Sequence, residues 1–463
     1  MRTTRRELGS LTAAALWSLG RAHGQQPNSS RRAPNVVVIL CDDLGYGDLG
    51  CYGNRVIRTP NIDGLASEGV RLTDFYATPT CTPSRACLLT GRYPVRSGLT
   101  RVLIPRESFG VPDSELTLAE ALSGQGYKTA CIGKWHLGDR PAFRPNRHGF
   151  DYFYGLLYSN DMTLPLVHWP AIKLFRNTTP IESPAMQRTL TQRFTGEALQ
   201  FIEGAGNDPF LLYLAYSMPH LPWSASKDFA GKSKHGLYGD AVEEIDWSVG
   251  EMMQRISRQG LERDTLIVFA SDNGPELAAP GPGGSAGGLR GGKGTTWEGG
   301  LRVPGILRWP GRLPAGSTAA GVCSLMDIFA TAAVAGGADL GSRVVDGVDL
   351  MPYLEGRSPS PRSALCHFHR GTLFAIRHER WKLHFVKIDP GPKGRLKPAV
   401  ACSPPELYDL VSDPGETRNV SAVHPEVADR LQRLAESHRA SIAAGRPPPS
   451  ALRSLLPNRR QKK

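Results

Sequence analysis

Residues 81–92 read Cys81-Thr82-Pro83-Ser84-Arg85-Ala86-Cys87-Leu88-Leu89-Thr90-Gly91-Arg92. Pro83 suits the first position of a helix, where its missing N–H costs nothing, and Thr82 just before it is an acceptable N-cap. Cys81 is therefore predicted to lie at a helix N-terminus, where free N–H groups and the positive end of the helix dipole favour an anion. Arg85 lies four residues further on, and helical side chains lean back toward the N-terminus, so its guanidinium can reach the same anion.

This stretch resembles the signature of the type I, formylglycine-dependent sulfatases, and it is similar to that of arylsulfatase A. In that family the cysteine is oxidised after translation to formylglycine, an aldehyde whose hydrate is the nucleophile. The resemblance implies that Cys81 is a precursor and not a thiol catalyst, and that a formylglycine-generating enzyme is a partner during maturation. It extends over residues 34–440 and implies the fold of the alkaline phosphatase superfamily.

Three apolar runs predict buried strands that end in polar residues. Residues 35–40 lead into Asp42-Asp43, residues 265–270 lead into Ser271-Asp272-Asn273-Gly274, and residues 129–132 lead into Gly133-Lys134-Trp135-His136. Unbroken runs rich in β-branched residues are typical of parallel strands buried on both faces. Because ligand sites in α/β sheets lie at the carboxyl ends of strands, these three ends are expected to converge on one site.

Helical patterns alternate with these strands, at residues 61–68, 116–123, 191–202 and 241–260. The alternation predicts an α/β fold with a large, mainly parallel or mixed sheet sandwiched by helices. After a Pro- and Ser-rich stretch at 358–363 the pattern changes to short strands at 373–377, 381–385 and 406–410 and a helix at 427–438. We therefore predict an export signal and linker over 1–32, a catalytic domain over 33–360, a smaller C-terminal α+β domain of antiparallel strands and a helix over 361–440, and a basic, disordered tail over 441–463.

The polar residues after the strands at 35–40 and 265–270 offer a set of metal ligands. Asp42, Asp43, Asp272 and Asn273 supply oxygen only, which selects a hard cation, calcium or magnesium, over zinc. Successive strand residues point to opposite faces, so both aspartates of the first pair can bind only where the strand has ended. Both pairs match the sulfatase metal ligands, and the resemblance implies Ca²⁺, with Mg²⁺ second, and residue 81 as a further ligand.

Five more residues match the family's anion site. Lys134 and His136 are two apart and would point to one side of an extended chain. The resemblance implies that both contact the sulfate or the aldehyde hydrate, that His220 and Lys293 lie near the leaving-group oxygen, and that Ser159 contacts the sulfate. Taken singly, each also has an ordinary explanation as a solvated charge, a buried histidine or a turn hydroxyl. Gly292-Lys293-Gly294 nearly spells a P-loop, but the Ser or Thr that should follow the lysine is missing, so a loop that delivers Lys293 to an anion is favoured.

The resemblance implies hydrolysis of sulfate monoesters in a sulfated small molecule or glycan. In this reading one hydroxyl at residue 81 attacks sulfur, the metal, Arg85, Lys134 and Lys293 stabilise charge, His220 protonates the leaving oxygen, and His136 is the base for the second hydroxyl. Two alternatives stay open. One is a phosphodiester or phosphonate monoester hydrolase of the same superfamily, and the other is a non-catalytic protein that binds a sulfated glycan and keeps Cys81 as a thiol.

The net charge of +12 lies in the two ends of the chain. Residues 1–32 carry six arginines and one acid, residues 439–463 carry seven Lys or Arg and no acid, and the remainder is neutral. This distribution gives no indication of a nucleic-acid surface. The first end, with Thr4-Arg5-Arg6-Glu7-Leu8-Gly9 before a short apolar run, resembles a twin-arginine export signal, which predicts a periplasmic or secreted protein. An unprocessed basic arm is the alternative.

No apolar run approaches the ~20 residues of a membrane span, so no stable membrane anchor is expected. The eight cysteines include no CxxC pair, which argues against a zinc or redox site of that kind.

Overall fold

The computed structural model describes residues 33–163 and 169–446. The predicted export segment and residues 447–463 of the predicted tail lie outside the described residues. The helices are α1 Pro60–Ser67, α2 Cys81–Thr90, α3 Pro94–Ser97, α4 Leu118–Ser123, α5 Leu190–Ala205, α6 Gly236–Arg258, α7 Glu298–Leu301, α8 Leu325–Ala335, α9 Met351–Leu354 and α10 Pro425–Ala443. The strands are β1 Asn35–Cys41, β2 Val70–Leu72, β3 Phe75–Tyr76, β4 Lys128–Lys134, β5 Tyr152–Leu156, β6 Leu174–Arg176, β7 Thr179–Glu182, β8 Phe210–Ala215, β9 Thr265–Ser271, β10 Gly305–Arg308, β11 Ser317–Ala319, β12 Cys323–Ser324, β13 Ala364–His369, β14 Thr372–His378, β15 Trp381–Lys387 and β16 Val400–Asp409.

A ten-stranded sheet runs in the order β11-β2-β10-β9-β1-β8-β4-β5-β6-β7. Its five central strands, from β9 to β5, are parallel, whereas β10, β6 and β7 pair antiparallel with their neighbours. In the centre, Val36 of β1 is in register with Leu211 on one side and Leu266 on the other. The predicted large, mainly parallel or mixed sheet is confirmed.

Alternate side chains of the central strands enter two separate apolar layers. Val36 and Val38 of β1 belong to the layer that includes residues of α2 and α8, and Val37 and Ile39 to the layer that includes residues of α5 and α6. Because successive strand residues point to opposite faces, a strand covered by helices on both sides is buried at every position, which favours apolar residues. The burial of all seven residues of β1 follows from this arrangement.

The C-terminal part contains a second sheet, β13-β14-β15-β16, whose pairs are all antiparallel. Helix α10 buries Val427, Leu431 and Ala435, which recur at intervals of four and so share one face. The predicted α+β character of this region is confirmed. The helix runs to Ala443, five residues beyond the predicted end, so the first residues of the predicted tail are helical.

No helix in the described parts of the chain is long and apolar enough to cross a membrane.

Candidate active site

Four neighbouring strands of the large sheet, β9, β1, β8 and β4, end at one place. The side chains there are Asp42 and Asp43 after β1, Asp272 and Asn273 after β9, Lys134 at the end of β4, and His220 beyond β8. Two backbone hydrogen bonds fix the ends to one another: the Asp42 amide donates to the Met218 carbonyl and the Asp272 amide to the Cys41 carbonyl, both at 3.1 Å. The structure thus brings together the strand ends that the sequence predicted to converge.

The predicted metal ligands form a compact buried group. The Asp43 amide donates to Oδ1 of Asp272 (3.2 Å), and Nδ2 of Asn273 donates to Oδ1 of Asp43 (2.7 Å). Asp43 has a φ of 65°, which turns the chain sharply after β1 and lets both aspartates face the site. Oδ1 of Asp42 and Oδ1 of Asn273 are buried and accept no hydrogen bond from any described residue. One ligand atom each from Asp42, Asp43 and His220 lie within 4.8 Å of one another.

Three cations balance the three carboxylates of this group. Arg85 donates from Nε and Nη2 to Oδ2 of Asp272 (3.1 and 2.8 Å) and from Nη1 to the Lys134 carbonyl (2.7 Å). Lys134 donates to Oδ2 of Asp42, and Lys293 donates to Oδ2 of Asp43 at 2.8 Å. Arg85 and Lys134 are fully buried, whereas the Lys293 side chain is 15% exposed. Lys293 therefore lies at the solvent side of the cluster.

The two aspartates that share Arg85 have pKa values shifted in opposite directions. Burial opposes ionisation of Asp42, but the nearby charges of Lys134 and Arg85 hold its pKa well below the usual range. Burial and the negative charge of Asp42 raise the pKa of Asp272. A carboxylate whose ionised form is disfavoured in this way is stabilised by added positive charge, which a bound cation would supply.

Cys81 is the first residue of α2 and is 2% exposed. The prediction that Thr82 is the N-cap is wrong, because the cap is Thr80 and Pro83 lies inside the first turn. The Thr82 hydroxyl instead donates to the His136 carbonyl (3.0 Å) and accepts from the Leu103 amide (3.2 Å). Burial raises the pKa of the Cys81 thiol to about 11, although the charges of Lys134 and Lys293 act in the other direction.

The two-residue spacing predicts that Lys134 and His136 lie in one extended segment. The structure differs, because His136 leaves the extended conformation. Strand β4 ends at Lys134, and His136 has a φ of 59°. The carbonyl of Leu103, 2.9 Å from Nε2, can only accept, so Nε2 carries the proton and Nδ1 carries the lone pair. Nδ1 is buried and has no hydrogen-bond partner among the described residues. Burial, with the charges of Lys134 and Arg85, lowers the pKa of His136 well below its ordinary value, so the ring is neutral.

Lys293 and His220 form a hydrogen bond in which the lysine is the donor. Nδ1 of His220 donates to the Leu221 carbonyl, which leaves Nε2 to accept from Lys293 at 2.7 Å. Burial lowers the pKa of Lys293, but Asp43 and Cys81 outweigh it, so the pKa lies above its ordinary value and the ammonium keeps its proton. Ser159, the last predicted contact, accepts from Lys134 at 3.0 Å and is buried.

Two parts of the site were missed in the sequence. Strand β8 lies at the centre of the sheet and carries the chain toward His220, yet residues 210–215 were not predicted as a strand. Their unbroken apolar run, Phe-Leu-Leu-Tyr-Leu-Ala, was the available signal. The second is Thr82, whose hydroxyl joins α2 to the turn that carries His136. Apart from its position next to Cys81, nothing in the sequence indicates this contact.

Comparison with known proteins identifies relatives over most of the chain. The family model described as Sulfatase matches residues 34–338, and that described as the C-terminal region of aryl-sulfatase matches residues 360–456. Steryl-sulfatase of Homo sapiens is 40% identical, with 88% of each chain covered, and arylsulfatase A of Homo sapiens is 40% identical, with 87% of each covered. The crystal structure of PsFucS1 sulfatase from Pseudoalteromonas sp. has a TM-score of 0.83 and 33% identity, and covers 90% of this chain and 92% of that chain.

Proposed function

The chain belongs to the sulfatase family and is a sulfuric ester hydrolase, and from that premise we propose that it cleaves sulfate monoesters with a formylglycine derived from Cys81 and a bound Ca²⁺. One observation carries the proposal. The buried Cys81, at the N-terminus of α2, lies within electrostatic range of the cations Lys134 and Lys293 and of two carboxylates of the oxygen cluster. The helix N-terminus and, once a bound cation balances the carboxylates, the two lysines would attract an anionic ester to residue 81.

The oxygen cluster fits a hard divalent cation. The proposed ligands are Asp42, Asp43, Asp272, Asn273 and the oxidised residue 81. A buried acceptor without a donor is costly, and both Oδ1 of Asp42 and Oδ1 of Asn273 are in that state among the described residues, so a cation would satisfy them. His220 is not among the ligands because its Nε2 lone pair accepts from Lys293. When bound, the cation stabilises charge on the sulfuryl oxygens and lowers the pKa of a coordinated hydroxyl.

Residue 81 in its unconverted form is a poor nucleophile. Thiol catalysts need a lowered pKa, whereas burial raises that of Cys81 to about 11. Formylglycine, once formed, supplies a hydrated aldehyde with one hydroxyl for attack and a second for release of sulfate. The helix N-terminus places positive dipole at this position, which favours developing negative charge.

The remaining residues bind the ester and move protons. Lys134 and Lys293 are the cations within reach of the sulfuryl oxygens, and Arg85 fixes Asp272 and the end of β4 through its three bonds. Lys293 holds a proton and donates to His220, so this pair can deliver a proton to the departing alcohol oxygen. His136 keeps an unpartnered Nδ1 lone pair in a neutral ring, which suits a general base.

The test combines mass spectrometry of the peptide containing residue 81 with turnover of 4-nitrophenyl sulfate. Protein made together with a formylglycine-generating enzyme should carry the aldehyde or its hydrate and should turn over the sulfate faster than bis(4-nitrophenyl) phosphate. Cys81→Ala should lose turnover, whereas Cys87→Ala, a buried cysteine of the same helix, should keep it. An intact thiol at residue 81 in active protein would overturn the mechanism. A faster phosphodiester reaction would overturn the substrate class.

Export is part of the same proposal. The twin-arginine-like segment lies outside the described residues, and its support is the sequence alone. Replacing both Arg5 and Arg6 by Lys should retain the protein in the cytoplasm of its host, and secretion at the original level would refute this route.

A further inference from the structure

The connection between β15 and β16 carries three exposed cations. Among the described residues, the side chains of Lys393, Arg395 and Lys397 form no hydrogen bond or salt bridge. The one acid of this connection, Asp389, accepts from Arg290 (2.8 Å) and from Nε1 of Trp297 (3.1 Å), so its charge is already compensated. We call residues 389–397 the basic loop.

The basic loop has a defined conformation. Pro390 and Leu396 form an isolated antiparallel bridge, and the Gly391 amide donates to the Arg395 carbonyl at 2.6 Å. The tip turns through Lys393 and Gly394, which have φ values of 55° and 73°. The three cations are therefore presented by a hydrogen-bonded hairpin, which reduces the entropy lost when a ligand binds.

The loop packs on the segment that carries Lys293. A Cβ added to Gly394 would lie 2.2 Å from the backbone carbonyl of Leu277, so the loop tip lies directly against that backbone. A Cβ added to Gly294 would lie 2.6 Å from Cδ1 of Leu396. Gly294 follows Lys293 directly, and consecutive Cα atoms are about 3.8 Å apart, so the basic loop borders the candidate active site.

We propose that the basic loop is a second anion subsite and that the substrate is an oligosaccharide with several sulfate groups. This inference rests on the proposed function: one sulfate ester is cleaved beside residue 81 while another sulfate of the same chain contacts Lys393, Arg395 and Lys397. An apolar leaving alcohol, such as a sterol, gains nothing from three exposed cations at the border of the site. A multiply sulfated glycan gains both attraction and orientation.

The experiment uses a heparin hexasaccharide as a competitor of 4-nitrophenyl sulfate hydrolysis. The triple variant Lys393→Gln, Arg395→Gln, Lys397→Gln is compared with wild type and with a control of equal charge change on exposed positions of α10, Arg430→Gln, Arg433→Gln, Arg439→Gln. The loop variant should raise the inhibition constant of the hexasaccharide about tenfold at low salt, since three exposed charge contacts are lost. Its kcat and KM for the aryl sulfate should stay unchanged, as should all constants of the control.

Two further measurements separate the possible outcomes. In 1 M salt, where the Debye length is about 3 Å, the difference between wild type and loop variant should vanish. A hyaluronan hexasaccharide, with carboxylates and no sulfate, should compete less well than the heparin hexasaccharide; equal competition would assign the loop to carboxylated glycans and overturn the sulfate assignment. An unchanged inhibition constant in the loop variant, or an equal rise in the control, would overturn the inference. Absence of aryl sulfate turnover in every protein would refute the proposed function, and calorimetric titration of the hexasaccharide into wild type and loop variant would still decide the subsite.

Discussion

Lys382→Met should loosen the attachment of the C-terminal sheet to the segment that carries Lys293. Lys382 lies on β15, and its Nζ is 2.9 Å from Oε1 of Glu298 and 3.0 Å from Oε1 of Glu416, with all three side chains fully buried. Glu298 begins α7, five residues after Lys293. Methionine keeps the volume and removes the charge, so two buried carboxylates lose their shared cation.

The magnitude follows from the burial. Removing one partner of a buried ion pair costs about 3–5 kcal/mol. The entropy of unfolding is about 2.1 cal/mol/K per residue, or roughly 1 kcal/mol/K for a chain of this size, so Tm should fall by about 3–5 °C. Lys387→Met is the matched control, because Lys387 lies on the same strand and pairs with Glu406 at 2.6 Å with 24% of its side chain exposed. An exposed pair contributes at most about 1 kcal/mol, so the control should lose about 1 °C or less.

The assay is thermal unfolding at one fixed scan rate, followed from pH 8 into the acid range, since large chains often unfold irreversibly. Burial alone would raise the pKa of Glu298, but Lys382, Arg377 and Arg302 hold it well below the usual range. A depressed pKa stabilises the fold above the pKa of the unfolded glutamate, about 4.3, and this contribution disappears as the pH falls through the lower pKa of the folded state. The Tm difference should therefore persist down to about pH 5 and narrow only at more acid pH. Equal losses of Tm in Lys382→Met and Lys387→Met would refute the reasoning.

Three further outcomes are expected. Thr82→Val leaves the buried His136 carbonyl and Leu103 amide without their hydrogen bonds, and each loss lowers the free energy of unfolding by about 1–3 kcal/mol. Tm and kcat should therefore both fall, and Thr82→Ser should restore them. Unchanged values in Thr82→Val would show that the hydroxyl is dispensable. The unconverted Cys81 thiol, with a pKa of about 11, should react with iodoacetamide at pH 8 about 100-fold more slowly than a peptide cysteine, and equal rates would contradict its burial. Dialysis against EDTA should lower Tm and abolish aryl sulfate turnover, and both should be regained as Ca²⁺ is added. In Asp42→Asn this recovery should need a higher Ca²⁺ concentration. Unchanged Tm and turnover after EDTA would argue against a cation at the oxygen cluster.

The apolar runs were sufficient to predict the class of the sheet but not all of its strands. Residues 35–40 and 265–270 are rich in β-branched residues, and both form central strands. Residues 210–215 form the strand between β1 and β4 but are rich in leucine, which favours helix as readily as strand, so a run of six gives no periodicity to separate the two. Only pairing with two neighbours, a tertiary effect, settles its conformation.

At the site, the sequence predicted which polar residues converge, but it did not predict their backbone geometry. The pairs Asp42-Asp43 and Asp272-Asn273 follow recognisable strands, so their convergence is a consequence of parallel pairing. The left-handed conformations of Asp43 and His136 have no local signal, because neither residue is glycine and both are fixed by contacts with distant segments. Thr82 shows the same limit, since its hydroxyl satisfies distant backbone groups instead of capping its own helix.

The charge balance of the site links the cation to anion binding. Three carboxylates face three cations, so the protein groups alone leave little net field for an anionic ester. Lys134 and Lys293 already donate to Asp42 and Asp43, and each bond reduces what the lysine offers a substrate. A divalent cation held by the same carboxylates would compete for their charge, free both ammonium groups toward the ester, and leave the site with an excess of two positive charges. Loss of the cation should therefore weaken binding of the sulfate ester, measured by calorimetry, as well as abolish its turnover, a coupling that purely local polarisation of the ester would not produce.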